Sequence, residues 1–181
     1  MRKVIAAINI TLDGNCDHTA VDPDEEIHDH YTQLLKQAGI AIYGRITFHL
    51  MEYWRTLLDN PSGNAAMDEF ATAMDQIPKL VFSKTLKSID WKSADLATED
   101  LEATVRKLKQ ESWKDIFACS PGIITQLANK NLIDEWQLCV HPIIAGPGKM
   151  LFADIQGRTK LELMNTKTFS SGAIVLYYSV L

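Results

Sequence analysis

The expected fold is decided by the stretch Ile40-Ala41-Ile42-Tyr43-Gly44-Arg45-Ile46-Thr47-Phe48, in which an apolar run turns into a helical pattern. The run over residues 40–43 is long enough for a buried strand, too short for a helix, and stops at Gly44. Beyond the glycine, Ile46 and Leu50 are spaced as on one face of a helix. The stretch therefore predicts a buried strand that enters a helix through a turn at Gly44.

The junction at Gly44 has the chemistry of an anion site. The free N–H groups of a first helical turn face away from the carboxyl end of the preceding strand and favour a phosphate. Arg45 and Thr47 add a cation and a hydroxyl at the same place. The alternative is a plain tight turn with a solvated Arg45 and with Thr47 as an N-cap. Four residues alone leave both interpretations open.

The segment from Ile42 to Phe48 resembles the Gly-Arg-x-Thr-Phe/Trp segment of the dihydrofolate reductase family. The resemblance is closest to stand-alone relatives of the reductase domain of riboflavin biosynthesis, the C-terminal domain of a bifunctional deaminase-reductase. It implies NADPH as the cofactor, with its phosphates held by the residues of the turn: Gly44, Arg45, Ile46 and Thr47. The family usually has Glu at the next position, where this chain has His49.

Two further segments extend the resemblance towards both ends of the chain. Residues 132–152 follow the family signature Leu-Ile-Asp-Glu-x-x-Leu-x-Val-x-Pro-Val-Val-Leu-Gly-x-Gly-x-x-Leu-Phe almost position by position. Residues 11–14 resemble the Ser-Leu-Asp-Gly motif that closes the family's first strand. This implies that Ala6 and Ala7 line the nicotinamide pocket and that Asp13 borders the substrate. A plain turn residue is the alternative for Asp13.

Two more loops are implied in cofactor binding. Ser83 and Lys84 follow a predicted strand and resemble the family segment that contacts the adenosine ribose and its 2′-phosphate, although a solvated lysine would give the same pattern. At residues 120–123 a serine at the N-cap and a proline at the first helical position open a predicted helix. The family usually has glycines here, close to the pyrophosphate. The residues implied are Ser120, Pro121, Gly122 and Ile123, with cofactor affinity depending on how Pro121 is accommodated.

A predicted helix near residue 25 carries the candidate carboxylates. Asp22 is the expected N-cap and Pro23 the first helical residue. In the family resembled, this helix supplies the carboxylate that supports substrate protonation, for which Glu25, Glu26 and Asp29 are available. We take Glu25 and Asp29, together with Asp13, as catalytic candidates. His28 and His30 point away from each other on a helix and are interpreted as exposed, so they predict no metal site.

Composition excludes several classes of protein. The chain has 181 residues and a net charge of −5 with no Lys/Arg block, which argues against a nucleic-acid surface. Three scattered cysteines indicate neither a disulfide framework nor a zinc site. No leader or membrane span is apparent, so we expect a cytoplasmic protein formed by one domain over residues 1–181.

Strands that alternate with helices predict an α/β fold of three layers. Its central sheet is mainly parallel, with helices on both faces and a C-terminal antiparallel hairpin. The resemblance implies an NADPH-dependent reductase of a pterin- or pyrimidine-like heterocycle, with a non-catalytic or scavenging binding protein, or an antifolate binder, as alternatives. A homodimer is expected from the stand-alone relatives and from an excess of apolar residues near one strand: Leu138, Val140, Ile143 and Ile144.

Overall fold

The computed structural model describes all residues 1–181 and contains eight strands and six helices. In chain order these elements are β1 (Val4–Thr11), α1 (Glu25–Gln37), β2 (Ile40–Gly44), α2 (Arg45–Met51), α3 (Tyr53–Asp59), α4 (Ala65–Gln76), β3 (Lys79–Phe82), β4 (Ala94–Leu96), α5 (Leu101–Gln110), β5 (Ile116–Ala118), α6 (Pro121–Asn129), β6 (Glu135–His141), β7 (Leu161–Thr168) and β8 (Ile174–Val180).

All eight strands form one sheet in the order β4-β3-β2-β5-β1-β6-β8-β7. The six strands from β4 to β6 are parallel, and β8 and β7 continue the sheet as an antiparallel hairpin. The predicted α/β architecture, with its mainly parallel sheet and closing hairpin, is confirmed. Because β2 and β5 are neighbours, the turns that follow them meet at one edge of the sheet.

Alternate residues of the central strands face opposite layers, as the twofold period of a strand requires. On one face Ala6 and Ile8 of β1 pack with Ile124 and Leu127 of α6. On the other, Ala7 of β1 packs with residues of α1, α2 and α4. The two alanines that the resemblance implies in one pocket therefore lie on opposite faces of the sheet.

The antiparallel end of the sheet is less well covered than the parallel part. Every residue of β7 is exposed, including Leu163 at 52%. Val140 pairs with Ile174 across β6 and β8, so both lie on the face that carries α6 in the centre of the sheet. Leu138, one of the four residues in the dimer prediction, belongs to the core, whereas Ile144 is 76% exposed.

Several boundaries differ from those predicted. Helix α1 begins at Glu25 with Asp24 as its N-cap, two residues later than expected. His30 is buried and His28 is half-buried, so the interpretation of both histidines as exposed was wrong. Strand β4 and the separate helix α3 carried too short a pattern to be found. No helix combines the length and the apolar character needed to cross a lipid bilayer.

Candidate functional site

A cavity of about 640 Å³ opens at the carboxyl ends of β1 and β5, on the face of the sheet that carries α1, α2 and α4. Its walls are mostly apolar and include Leu50, Trp54 and Phe70. Ligand pockets of proteins have this size range and this mixture of apolar walls with few polar groups. The cavity is therefore the leading candidate for a binding site.

Two helices that follow parallel strands, α2 and α6, begin beside this cavity without a side-chain cap. Neither Gly44 at the start of α2 nor Ser120 at the start of α6 caps its helix. Instead, the Ser120 hydroxyl accepts a hydrogen bond of 3.0 Å from the backbone N–H of Gly44, which ties the two turns together. The first-turn N–H groups of both helices thus lack intrahelical partners at adjacent strand ends, and they form a place for an anion.

The backbone around these turns is accessible. A methyl group added at Gly122 would meet no atom within 4 Å, and one at Gly44 would only touch Ile123 at 3.7 Å. Pro121 lies at the first turn of α6 and lines the cavity. Its ring takes away one N–H donor but leaves those of Gly122 and Ile123.

Three cations surround this edge of the sheet. Arg45 and Lys84 are exposed, and neither makes an ion pair. Lys149 is also exposed and lines the cavity. In an acidic protein these free charges supply local attraction for an anionic ligand. The His49 imidazole is engaged nearby, with Nδ1 2.8 Å from a carboxylate oxygen of Glu52.

The structure distributes the predicted cofactor residues over three environments. Ala7, Ile46, Thr47 and Pro121 line the cavity. Gly44, Ser120 and Gly122 form the adjoining turns, whereas the Ile123 side chain is buried in the core and can offer only its N–H. Ser83 and Lys84 follow β3, the neighbour of β2, and the Ser83 hydroxyl accepts from the N–H groups of Thr85 and Leu86.

Asp13 does not line the cavity, although it was predicted to border the substrate. Its carboxylate accepts hydrogen bonds from the Thr11 hydroxyl and from the backbone N–H groups of Ala145 and Gly146. These bonds, with that of Thr11 the strongest, hold the pKa of Asp13 below its usual range. The carboxylate clamps the β1 turn to the loop that leads to Lys149, which matches the plain-turn alternative.

The two carboxylates predicted on α1 also lie outside the cavity. Glu25 is exposed and accepts a hydrogen bond of 2.6 Å from the Asn64 amide, and Asp29 is exposed without a partner. The cavity face of α1 carries Ile27, His28 and Tyr31 instead. The search for a carboxylate on this helix and the interpretation of His28 as exposed explain why sequence reasoning missed His28.

A buried hydrogen-bond network holds a polar group at the cavity wall. Asn9 lines the cavity, and its side-chain oxygen accepts from the Tyr31 hydroxyl at 3.3 Å. His141 Nε2 lies 3.1 Å from the same oxygen, which makes it the protonated nitrogen. Burial lowers the pKa of His141, against the opposing effect of Asp24, and raises that of Tyr31 well above its ordinary value. The amide NH₂ of Asn9 remains available to a ligand, a feature that its place in an apolar strand did not reveal.

Comparisons with known proteins identify the family of the chain. The model of the RibD C-terminal domain matches residues 2–175. The protein YyaP of Bacillus subtilis is 32% identical over 185 residues, which cover 98% of this chain and 94% of YyaP.

Solved structures show the same fold at low identity. A putative riboflavin biosynthesis protein from Shewanella sp. PV-4 superposes with a TM-score of 0.74 at 16% identity, covering 100% of this chain and 99% of that one. A pyrimidine reductase-like protein from Corynebacterium diphtheriae gives a TM-score of 0.69 at 16% identity, with coverage of 99% and 92%. A deaminase/5-amino-6-(5-phosphoribosylamino)uracil reductase from Thermotoga maritima gives 0.67 at 15% identity, with 99% of this chain covering 57% of that protein. The predicted dihydrofolate reductase-like fold is thereby confirmed.

Proposed function

The chain belongs to the family of RibD C-terminal domains, and from this we propose that it is an NADPH-dependent reductase of a pterin- or pyrimidine-like heterocycle. The observation that carries the proposal is the pair of uncapped helix starts at Gly44 and Ser120, which are joined by one hydrogen bond beside a 640 Å³ cavity. The names of two similar structures, one pyrimidine reductase-like and one a uracil-derivative reductase, favour the same chemical class.

The residues present fit such a cofactor. The free N–H groups of Gly122 and Ile123 and those of the first turn of α2 would bind the pyrophosphate, because these donors have no partner within the protein. Arg45 and Lys84 would hold the 2′-phosphate, and Thr47 would add a hydroxyl. When bound, NADPH supplies a hydride for a C=N or sugar carbonyl group. The apolar walls around Trp54 and Phe70 would hold the heterocycle and exclude water.

The test is a titration with NADPH and with NADH, followed by turnover. Quenching of tryptophan fluorescence reports binding, since Trp54 lines the cavity. We expect NADPH to bind more tightly, because the unpaired cations match its extra phosphate. Oxidation of NADPH is then followed by absorbance with 5-amino-6-(5-phosphoribosylamino)uracil and with dihydrofolate. Equal dissociation constants for the two cofactors, or no turnover of either heterocycle, would contradict the proposal.

A non-catalytic or scavenging binding protein is the second candidate, and Pro121 favours it. The proline ring lines the cavity where the family usually has glycine, and it removes one pyrophosphate donor. A binding protein would take up the heterocycle in the absence of NADPH and would not reduce it. Calorimetric titration with the two heterocycles alone separates this function from the first.

We further propose a homodimer that uses one face of the hairpin. Val140, Ile174 and Leu163 lie on one face of β6, β8 and β7, where Ile174 is 37% exposed and Leu163 52%. Such an interface would be isologous, with the same patch on both copies. Sedimentation should give about twice the chain mass of 20.3 kDa, and Leu163→Lys should return it to the monomer value. A monomer at micromolar concentration for the unsubstituted chain would contradict the dimer.

A further inference from the structure

We propose that His28 is the catalytic acid of this site and that its Nε2 delivers the proton that accompanies the hydride. This inference rests on the proposed function and adds to it the residue that moves the proton. His28 lies on α1, is half-buried and lines the cavity. It stands on the helix where a carboxylate was expected, and no carboxylate of α1 lines the cavity.

The contacts of the imidazole fix which nitrogen is free. His28 Nδ1 lies 2.8 Å from the backbone carbonyl oxygen of Asp24, one turn earlier in the helix. A carbonyl oxygen only accepts hydrogen bonds, so Nδ1 carries the hydrogen. Nε2 has no protein partner and is the nitrogen left for a ligand. An imidazole oriented by a carbonyl at one nitrogen, with the other free, has the arrangement of an acid-base catalyst.

Aromatic packing holds the ring in this orientation. The His28 ring centroid lies 5.5 Å from that of Trp54 and 5.8 Å from that of Phe70, edge to face in both pairs. Trp54 and Phe70 pack against each other at 4.6 Å. Because both aromatic side chains also line the cavity, a planar heterocycle bound against them would lie beside the imidazole.

Tyr31 and Cys119, two other titratable groups of the cavity wall, are weaker acids than usual because they are buried. Tyr31 donates its hydroxyl hydrogen to Asn9, and burial raises its pKa well above the ordinary value. Burial also raises the pKa of the Cys119 thiol, to about 12. The remaining groups are Tyr53 of α3 and the loop residues Cys16, Asp17, His18 and Lys149, whereas α2 and α4 contribute none. Asp17 is engaged by the backbone N–H and the hydroxyl of Thr19.

The proton balance of the step is simple. Reduction of a C=N bond places a hydride on carbon and a proton on nitrogen, while the π electron pair becomes the new N–H bond. The carbon receives the hydride from NADPH, which is oxidised to NADP⁺, and the nitrogen receives the proton from Nε2–H of the His28 imidazolium. The imidazole is left neutral, with its hydrogen on Nδ1, and takes up a proton from water to begin the next cycle.

The first experiment compares His28→Asn with the unsubstituted protein under single-turnover conditions. Asparagine keeps a donor near the position of Nδ1 and lacks the group at Nε2. We expect the hydride-transfer rate with 5-amino-6-(5-phosphoribosylamino)uracil to fall about a hundredfold or more, the usual contribution of a general acid. The NADPH dissociation constant should stay within about twofold.

A second variant and a spectroscopic measurement make the result decisive. Asp29→Asn, on the same helix but outside the cavity, should change the rate less than about twofold. ¹⁵N spectra of the imidazoles, assigned with His28→Asn, should show Nδ1–H and a shift of Nε2 when the uracil derivative or dihydrofolate is added without NADPH.

Each outcome bears on either the role of His28 or the proposed function. Turnover by His28→Asn within threefold of the unsubstituted rate, or a large loss in Asp29→Asn alone, would overturn the role of His28 and leave the reductase proposal intact. Absence of turnover in the unsubstituted protein would sink the reductase proposal. In that case an Nε2 signal that responds to neither heterocycle would also overturn the placement of His28 at the ligand, and a response would support it.

Discussion

Helices in this protein begin in two different ways. Helices α1, α4 and α5 start at Asp24, Asn64 and Asp100, and each side chain accepts a hydrogen bond from the backbone N–H three residues later. Helices α2 and α6 start at Gly44 and Ser120 without such a bond, as does α3, which follows α2 directly through Glu52. A side-chain cap contributes about 1 kcal/mol to stability, and α2 and α6, the two uncapped helices that follow strands, lack that contribution.

The uncapped starts of α2 and α6 lie at the candidate site, which suggests a reason for the missing caps. Both follow neighbouring parallel strands, β2 and β5, and both adjoin the cavity. Ser120 belongs to the residue types that cap helices, yet its hydroxyl accepts from Gly44 N–H of the other turn. The capped helices are complete in the protein alone, whereas the uncapped pair keeps its donors for an anionic ligand.

The largest effect is expected from converting an uncapped start into a capped one. Gly44→Asp is sterically acceptable, since φ is −83° and a Cβ meets only Ile123 at 3.7 Å. The carboxylate would occupy the proposed phosphate position, and repulsion of roughly 3 kcal/mol would weaken NADPH binding more than about 100-fold. Urea unfolding should show that the new cap raises the free energy of unfolding by about 0.3 kcal/mol.

Gly44→Asn is the matched control for this variant. It supplies a similar cap without the charge, so we expect the same small gain in stability and a loss of NADPH affinity below about tenfold. If fluorescence titration shows that Gly44→Asp binds NADPH with an unchanged dissociation constant, the uncapped start of α2 is not a phosphate site. The missing caps would then have no connection with ligand binding.

The next effect concerns the cation at the same turn. Arg45→Ala removes a charged donor that makes no ion pair in the protein, and we expect a loss of roughly 1.5–3 kcal/mol in NADPH affinity. NADH affinity should fall less, because NADH lacks the 2′-phosphate. Arg106→Ala, which breaks an exposed pair with Glu102 on α5, is the control and should leave both titrations unchanged. Equal losses for the two cofactors would argue against a 2′-phosphate contact.

A substitution at a capped helix start should change the stability of the protein but not its affinity for NADPH. Asp24→Ala removes the carboxylate that accepts a hydrogen bond of 2.9 Å from the Ile27 N–H. The substitution should lower the free energy of unfolding by about 1 kcal/mol in urea at pH 7. NADPH affinity should stay within about twofold. Asp24→Asn retains an oxygen acceptor and is the matched control. A tenfold change in NADPH affinity with unchanged stability would contradict the assignment of Asp24 as a purely structural cap.

The contribution of Asp24 to stability should also depend on pH in a defined direction. Burial raises the pKa of Asp24, but the hydrogen bonds from the Ile27 N–H and the Ser171 hydroxyl are among the effects that outweigh it, so the pKa of Asp24 in the folded protein lies below its ordinary value. A carboxylate whose pKa is lower in the folded state stabilises the fold at pH values above its pKa in the unfolded chain, which is near 3.9. This contribution is lost as the pH falls through the pKa of the folded state. The stability difference between the unsubstituted chain and Asp24→Ala should therefore shrink in acid.

Sequence reasoning reached the fold because the fold depends on local patterns. The apolar run before Gly44, the Ser-Pro start at Ser120 and the turn that closes β1 each specify their own element. The site depends on side-chain direction, which a pattern does not reveal. Glu25 and Asp29 are exposed on α1, whereas His28 of the same helix lies at the cavity.

The network of Asn9 joins residues that are 22 and 132 positions away in sequence, and no local pattern announces such a contact. Asp13 illustrates the reverse case. Its motif was recognised, but the structure commits its carboxylate to the backbone of a loop more than 130 residues away. Motif resemblance therefore located the turn correctly without fixing the task of the side chain within it.

The smallest effect is expected at Pro121, where the two uncapped starts differ from each other. Proline at the first helical position is preorganised for the helix and leaves the N–H groups of Gly122 and Ile123 free. Pro121→Gly adds one donor, worth about 1 kcal/mol, and loosens the turn, so NADPH should bind only a few-fold more tightly. The open space around Gly122, where an added Cβ meets nothing within 4 Å, supports an unobstructed approach to the backbone. A thousandfold gain in the titration would mean that the proline ring closes the site in the natural sequence, and the binding protein of the second proposal would replace the reductase.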